Sequence, residues 1–384
     1  MKLNDLERQL AAGNLDVEIQ RIYASGEQDV APTRARLSEL AGTFRTTFGD
    51  REVGLYSAPG RTEMGGNHTD HQRGQVLAGS VNLDMVACAG RNSSDTIRIA
   101  SDGYPLLELD ATALEPVAGE EGTSASLVRG ICRAMTDRGY AVGGFDACIT
   151  SQVPGGSGLS SSAAYEILIG VIVNHLFCDD DLSAIELAQV GQYAENVFFG
   201  KPSGLMDQMA SSVGDIVHID FADPANPVVL PIAFDMAASG HVLCIVDSGA
   251  DHADLTDEYA AITDEMGAVA RYFGKQYLSE VPADQFWAEL RAVRAATGDR
   301  AVLRTAHFFT DDARVAEQAS ALAEGRFSDF LELVRASGVS SAMQLQNLFS
   351  PATPGQQAVG VAIMLATHLL GGRGAVRVHG GGFA

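Results

Sequence analysis

A strand-like stretch at residues 147–153 and an apolar run at residues 165–177 are joined by Pro154-Gly-Gly-Ser-Gly-Leu-Ser-Ser-Ser-Ala-Ala164. Glycines at 155, 156 and 158 let the backbone bend tightly and approach a ligand with no Cβ in the way. The run at 165–177 is long enough for a buried helix. A glycine loop opening onto a helix presents free N–H groups and the positive end of the helix dipole, a combination that attracts phosphate. The serine hydroxyls can bond phosphate oxygens or ligate a metal ion held by them. The loop has neither the Gly-Lys-Ser/Thr ending of a Walker A loop nor the spacing of a dinucleotide fingerprint, so on local sequence alone a phosphate cradle and a plain connecting loop both stand.

A chain of 384 residues exceeds what one core usually serves, and two domains are expected. Character changes near Pro224-Ala-Asn-Pro227, which puts the division at residues 1–220 and 221–384. A hydrophobic share of 46% with 20% charged residues is that of a soluble enzyme, and no apolar stretch has the length of a membrane span. The N-terminus lacks the apolar core of a signal peptide, so the cytoplasm is the expected compartment. The five cysteines are scattered and mostly in apolar surroundings, which implies neither a disulfide framework nor a zinc site. A net charge of −23 argues against nucleic acid and anionic membranes as partners. It also means that a bound phosphate needs local positive potential from helix termini, a few arginines and a divalent cation.

Periodicity predicts helices at 33–48, 126–135, 184–199, 257–273, 283–296, 313–324 and 356–370. Strands are predicted at 53–57, 76–89, 96–100, 241–247 and near 374–379. Residues 58–71, Ala-Pro-Gly-Arg-Thr-Glu-Met-Gly-Gly-Asn-His-Thr-Asp-His, read as a polar glycine-rich loop carrying Arg61, Glu63, Asn67, His68, Asp70 and His71. Such a loop suits a hydroxyl-rich ligand, a solvated turn or, through His68, Asp70 and His71, a metal. A third constellation runs from Glu195 to Gly204-Leu-Met-Asp207-Gln208; an Asp so placed is also an ordinary helix cap.

Taken in order, these patches resemble the galactokinases of the GHMP small-molecule kinase superfamily. Pro59-Gly-Arg61 with His68-Thr-Asp70 resembles the galactokinase signature. Residues 154–164 resemble the superfamily's ATP-binding loop, and Val378-His-Gly-Gly-Gly-Phe383 its C-terminal glycine motif. Glu195 with Gly204-Leu-Met-Asp-Gln208 matches the family spacing, and Asp247-Ser248 with Asp257-Glu-Tyr259 resembles its second-domain sugar contact. Agreement of several ordered motifs is far more specific than any one.

The resemblance implies an α+β, two-domain GHMP kinase fold: an N-terminal mixed-sheet domain, a C-terminal ferredoxin-like α/β domain, and an active site between them. It implies ATP-dependent phosphorylation of a sugar at its anomeric hydroxyl, D-galactose to α-D-galactose 1-phosphate. The nearest rivals are a kinase for N-acetylgalactosamine or arabinose and a catalytically silent sugar and ATP sensor. It implies ATP and Mg2+ as cofactors, and a small-molecule sugar and ATP as the partners; nothing in the residues assigns an oligomeric state.

Residue by residue, Asp207 would accept or orient the proton of the sugar C1 hydroxyl. Arg61 would keep Asp207 ionised and neutralise the transferred phosphoryl group. Gly155, Gly156, Ser157, Gly158, Leu159, Ser160, Ser161 and Ser162 would cradle the phosphates, and Ser162 and Glu195 would serve the Mg2+. Asn67, His68, Asp70, Gly204 and Tyr259 would hold the sugar. The chain departs from the family in Asn67 for Glu, Thr62-Glu-Met-Gly65 for Val-Asn-Leu-Ile, His71 for Tyr, and a missing Trp before the helix near Leu127. Asn67 can still bond a hydroxyl but lacks the negative charge.

Overall fold

In the computed structural model, residues 1–23, 30–155, 158–249 and 256–383 are described. They fall into two compact units that alternate along the chain. The first is Met1–Gly60, Ser80–Gly155 and Leu159–Val213, and the second is Arg61–Gly79, Gly156–Gly158 and Gly214–Ala384.

The first unit opens with helices α1 (Leu3–Ala11), α2 (Asp16–Tyr23) and α3 (Val30–Phe48). The apolar stripe of α3, Leu37, Leu40, Ala41, Phe44 and Phe48, is buried against Leu3, Leu6 and Leu10 of α1, as its 3.6-residue period requires. Pro32 lies in the first turn of α3, where its missing N–H would have no partner inside the helix. Strand β1 (Gly54–Gly65) gives its first residues, 54–60, to this unit, and β2 (Gln75–Arg91) gives residues 80–91. With β3 (Thr96–Ser101), β4 (Leu107–Asp110) and β5 (Phe145–Ser151) they form a mixed sheet in the order β4-β3-β5-β2. The β3–β5 pair is parallel and the others antiparallel. In the antiparallel register Cys88 faces Cys148. Asp146 is wholly buried in this sheet and is paired to Arg51 and Arg98.

The rest of the first unit is helical: α4 (Ser124–Asp137), α5 (Ser161–Phe177), α6 (Ala184–Tyr193) and α7 (Met206–Val213). Helix α5 is apolar almost all round and is the buried centre of this layer. A π-helical turn, residues 194–199, continues α6.

In the second unit, residues 75–79 of β2 pair antiparallel with β6 (Ile216–Asp220), which pairs antiparallel with β7 (Val228–Ile232). Six helices follow: α8 (Thr256–Tyr272), α9 (Ala283–Ala288), α10 (Leu290–Thr297), α11 (Asp299–Ala323), α12 (Phe327–Ser340) and α13 (Ala358–Leu370). Helix α11 is the axis. Ala306 and Phe308 pack toward α8 in one core, and Val315 and Leu322 join Met64, Leu77 and Phe330 in another. No described helix is long and apolar enough to cross a membrane.

Five expectations are corrected. Residues 58–65 are strand rather than loop, because β2 supplies a ladder for β1; the loop starts only at Gly66. Gly66 has φ +83°, and a Cβ there would lie 2.4 Å from the Gln75 carbonyl oxygen, so the turn demands glycine. The predicted strands at 241–247 and 374–379 are not strands. Arg335 takes the carbonyls of Gly372 and Gly374 at 3.1 and 2.8 Å, and Arg377 takes that of Val378 at 2.7 Å, so guanidinium groups replace a ladder. Residues 283–296 form two helices separated at Glu289, and the helix expected at 313–324 begins at Asp299.

Candidate active site

The glycine-serine segment runs from the end of β5 to the start of α5. Gly155 is exposed, Gly156 and Ser157 lie outside the described residues, and Gly158 has φ +74°. Leu159 is buried and anchors the segment. Ser160, the N-cap of α5, is left-handed at φ 55°, ψ 61°, an unusual state for a non-glycine residue. Its hydroxyl does not cap the helix; it donates to Oδ2 of Asp207. No side chain caps α5 at its N-cap, and Ser161 and Ser162 stand half-buried in its first turn. The positive end of a 17-residue helix is thereby offered to an anion.

Asp207 is in the first turn of α7, just after Gly204, where the helix dipole favours a carboxylate. Glu195, on the π-turn after α6, is buried. Its Oε1 accepts from Ser162 Oγ at 3.3 Å and from the ammonium of Lys201 at 2.8 Å. Its Oε2 accepts from Gln208 Nε2 at 2.9 Å and Ser203 Oγ at 2.5 Å. Gln208 also donates to Glu166 Oε2 at 2.8 Å. Glu166 is fully buried and its Oε1 has no partner among the described residues. Burial, with the Glu195 charge adding to it, pushes the Glu166 carboxyl up to about 9. Within the first unit Ser160 is thus paired with Asp207 and Ser162 with Glu195.

In the second unit, Arg61 lies on β1 and its Nη1 donates to the Gly158 carbonyl at 2.5 Å. Asn67 is wholly buried: its Nδ2 donates to Glu63 Oε1 at 3.0 Å and to the Gly380 carbonyl at 2.7 Å. Its Oδ1 accepts from Asn347 Nδ2 at 2.7 Å. Glu63 is ion-paired with Arg377, yet burial outweighs that charge and lifts its carboxyl to about 7. His68, with φ 60°, faces the Gly381 carbonyl from Nε2 at 3.0 Å. Because a carbonyl only accepts, Nε2 carries the proton. Burial, then the neighbouring His71, lowers the His68 pKa to about 3, which keeps the ring neutral. Tyr259 on α8 donates from its hydroxyl to the Gly382 carbonyl at 2.7 Å. A Cβ on Gly381 would lie 2.3 Å from the Tyr259 ring, so the glycine run is what lets the two meet. Asn67, His68 and Tyr259 therefore converge on three consecutive glycine carbonyls. Asp70 is not part of this set; it sits in a short 3-10 turn with His71 Nε2 3.9 Å away.

No group of three or more His, Cys, Asp and Glu among the described residues could hold a metal ion, so His68, Asp70 and His71 do not assemble into such a site. Sequence reasoning missed Lys201, Gln208, Glu166 and Arg377. For two of them a signal was present: a carboxyl inside the apolar run 165–177 and a guanidinium inside Val-Arg-Val.

Residues 126–215 match the GHMP kinases N terminal domain, and residues 42–91 match the galactokinase galactose-binding signature. The fold and this pair of matches define a small-molecule kinase of the GHMP class. Over 353 residues the chain is 33% identical to a galactokinase of Streptomyces coelicolor, covering 90% of this chain and 87% of that protein, and it belongs to the galactokinase family. Its structure is similar to that of Lactococcus lactis galactokinase complexed with galactose, with a TM-score of 0.75 at 25% identity over 91% of this chain and 88% of that one. Methanococcus jannaschii mevalonate kinase shares the fold, with a TM-score of 0.52 at 15% identity over 78% of this chain and 81% of that one.

Proposed function

We propose that this protein transfers the γ-phosphoryl group of ATP to the anomeric hydroxyl of D-galactose, releasing α-D-galactose 1-phosphate and ADP. The observation that carries this reading is the bond from Ser160 to Asp207. It ties a carboxylate to the opening of α5 in a chain that also bears the galactose-binding signature. In the reaction a bond forms between the sugar O1 and the γ-phosphorus, and the bond from that phosphorus to the β,γ-bridging oxygen breaks. The O1 proton passes to, or is oriented by, Asp207, and ADP leaves with the electron pair. Arg61 supplies positive charge to the transferred group. The N–H groups at the start of α5, with residues 155–162, hold the phosphates. Asn67, His68, Asp70, Gly204 and Tyr259 are assigned to the sugar.

A hydroxyl and a carboxylate, Ser162 and Glu195, make a hard oxygen donor set that suits Mg2+, which usually takes its other ligands from substrate phosphates and water. When bound, that ion neutralises charge on the phosphates. The protein's part is to hold Glu195 in place through Gln208 and Ser203. A cytoplasmic location accords with five free cysteines. The division at residues 220 and 221 is kept as part of the same proposal.

The test is coupled detection of ADP with galactose, N-acetylgalactosamine, arabinose and no sugar, ranked by kcat/KM. Galactose-dependent turnover that Asp207→Asn nearly abolishes, with nucleotide affinity retained, is the expected result. Nucleotide and sugar binding without turnover would identify a sensor instead.

A further inference from the structure

The two oxygens of Glu195 have different surroundings. Oε2 is fixed by Gln208 and Ser203, whereas Oε1 is shared by the Ser162 hydroxyl at 3.3 Å and the Lys201 ammonium at 2.8 Å. Lys201 is held in register from below. Its backbone N–H donates to the Glu195 carbonyl at 3.1 Å, after Gly200 turns the chain at φ +83°. Its side chain is 56% exposed while that of Glu195 is 2% exposed, so the ammonium can leave the carboxylate without disturbing the core.

We infer that Lys201 is a positioning cation. In the metal-free protein it occupies the cation side of Glu195, and it supplies part of the positive charge that the nucleotide phosphates require. The inference rests on the assignment of Mg2+ to Ser162 and Glu195. Were Mg2+ held by Ser162 and Glu195, it would compete with the ammonium at Glu195, and the long flexible stem would let that charge stay close by. In a chain of net charge −23 such a resident cation offsets the local repulsion that a metal-free nucleotide would face.

The experiment measures the affinity of a non-hydrolysable ATP analogue by calorimetry, once in EDTA and once in Mg2+. The readout is the ratio of the two dissociation constants. In Lys201→Met the ratio rises about fivefold over the parent, chiefly because binding in EDTA weakens, and Lys201→Arg returns it toward the parent value. A ratio that stays unchanged or falls in Lys201→Met overturns the inference. Ser162→Ala and Glu195→Gln are run in parallel. If both retain the parent ratio, the metal assignment itself fails. If they collapse it toward one while Lys201→Met stays at the parent value, only the role of Lys201 fails.

Discussion

Glu166 is a carboxyl with no exposed surface; its Oε2 accepts from Gln208, its Oε1 has no partner among the described residues, and Ala163, Ala164, Ile167 and Leu168 are its buried apolar neighbours in the helix. Its pKa of about 9 stands above its ordinary 4.5, so the folded protein binds a proton there that the unfolded chain releases. That contribution to stability is complete below pH 4.5 and is lost as pH rises toward 9. Glu166→Gln keeps an acceptor for Gln208 and cannot ionise. Urea midpoints from pH 5 to 9 are therefore expected to show the variant gaining on the parent steadily as pH rises. A constant difference would show that Glu166 is not held protonated. Thiol chemistry gives a second expectation at this scale. Cys88, Cys132, Cys148 and Cys178 are buried and Cys244 is exposed, and burial raises Cys88 and Cys132 to about 12. An aromatic disulfide reagent should titrate one thiol in the native protein and five after denaturation. At this scale the sequence revealed which side chains bear chemistry but not their partners. Asn67 was legible as a polar residue in a signature, yet its burial against Asn347 and Gly380 depends on segments distant in sequence.

The start of α5 combines two local costs: a serine at positive φ and a cap with no side-chain acceptor. Ser160→Gly removes the strain and the hydroxyl together, whereas Ser160→Ala removes only the hydroxyl. The glycine variant is expected to be about 1 kcal/mol more stable than the alanine variant by thermal denaturation. Turnover should fall about tenfold in both, because the bond to Asp207 is lost in each. Equal stability would show that the left-handed conformation carries no cost. Ser183 provides the contrast. It forms a capping box with Glu186 at the start of α6, so Ser183→Ala should cost about 1 kcal/mol and leave kcat and KM unchanged. The one-sided apolar period of α3 and the unbroken apolar run of α5 were readable from the residues, since burial of one face or of the whole helix is what each pattern encodes. Strands were less so. Residues 241–247 have the composition of a strand, but Val242 and Val246 remain exposed, because a strand exists only where another supplies its hydrogen bonds.

For the molecule as a whole, a net charge of −23 acts on any approaching nucleotide before local geometry does. Screening shortens that repulsion from roughly 30 Å at 0.01 M salt to about 8 Å at 0.15 M. The association rate of a fluorescent ATP analogue, followed by stopped flow, should rise over this range; a fall would mean that the positive groups of the loop already govern the encounter. The alternation of the two units has a different effect, one of timing. Met64 and Leu77 are made early but share a core with Val315, Leu322 and Phe330, which are made much later. Nascent chain up to residue 220 must carry that ribbon of unburied side chains while translation continues, which makes the interval a natural point for chaperone engagement.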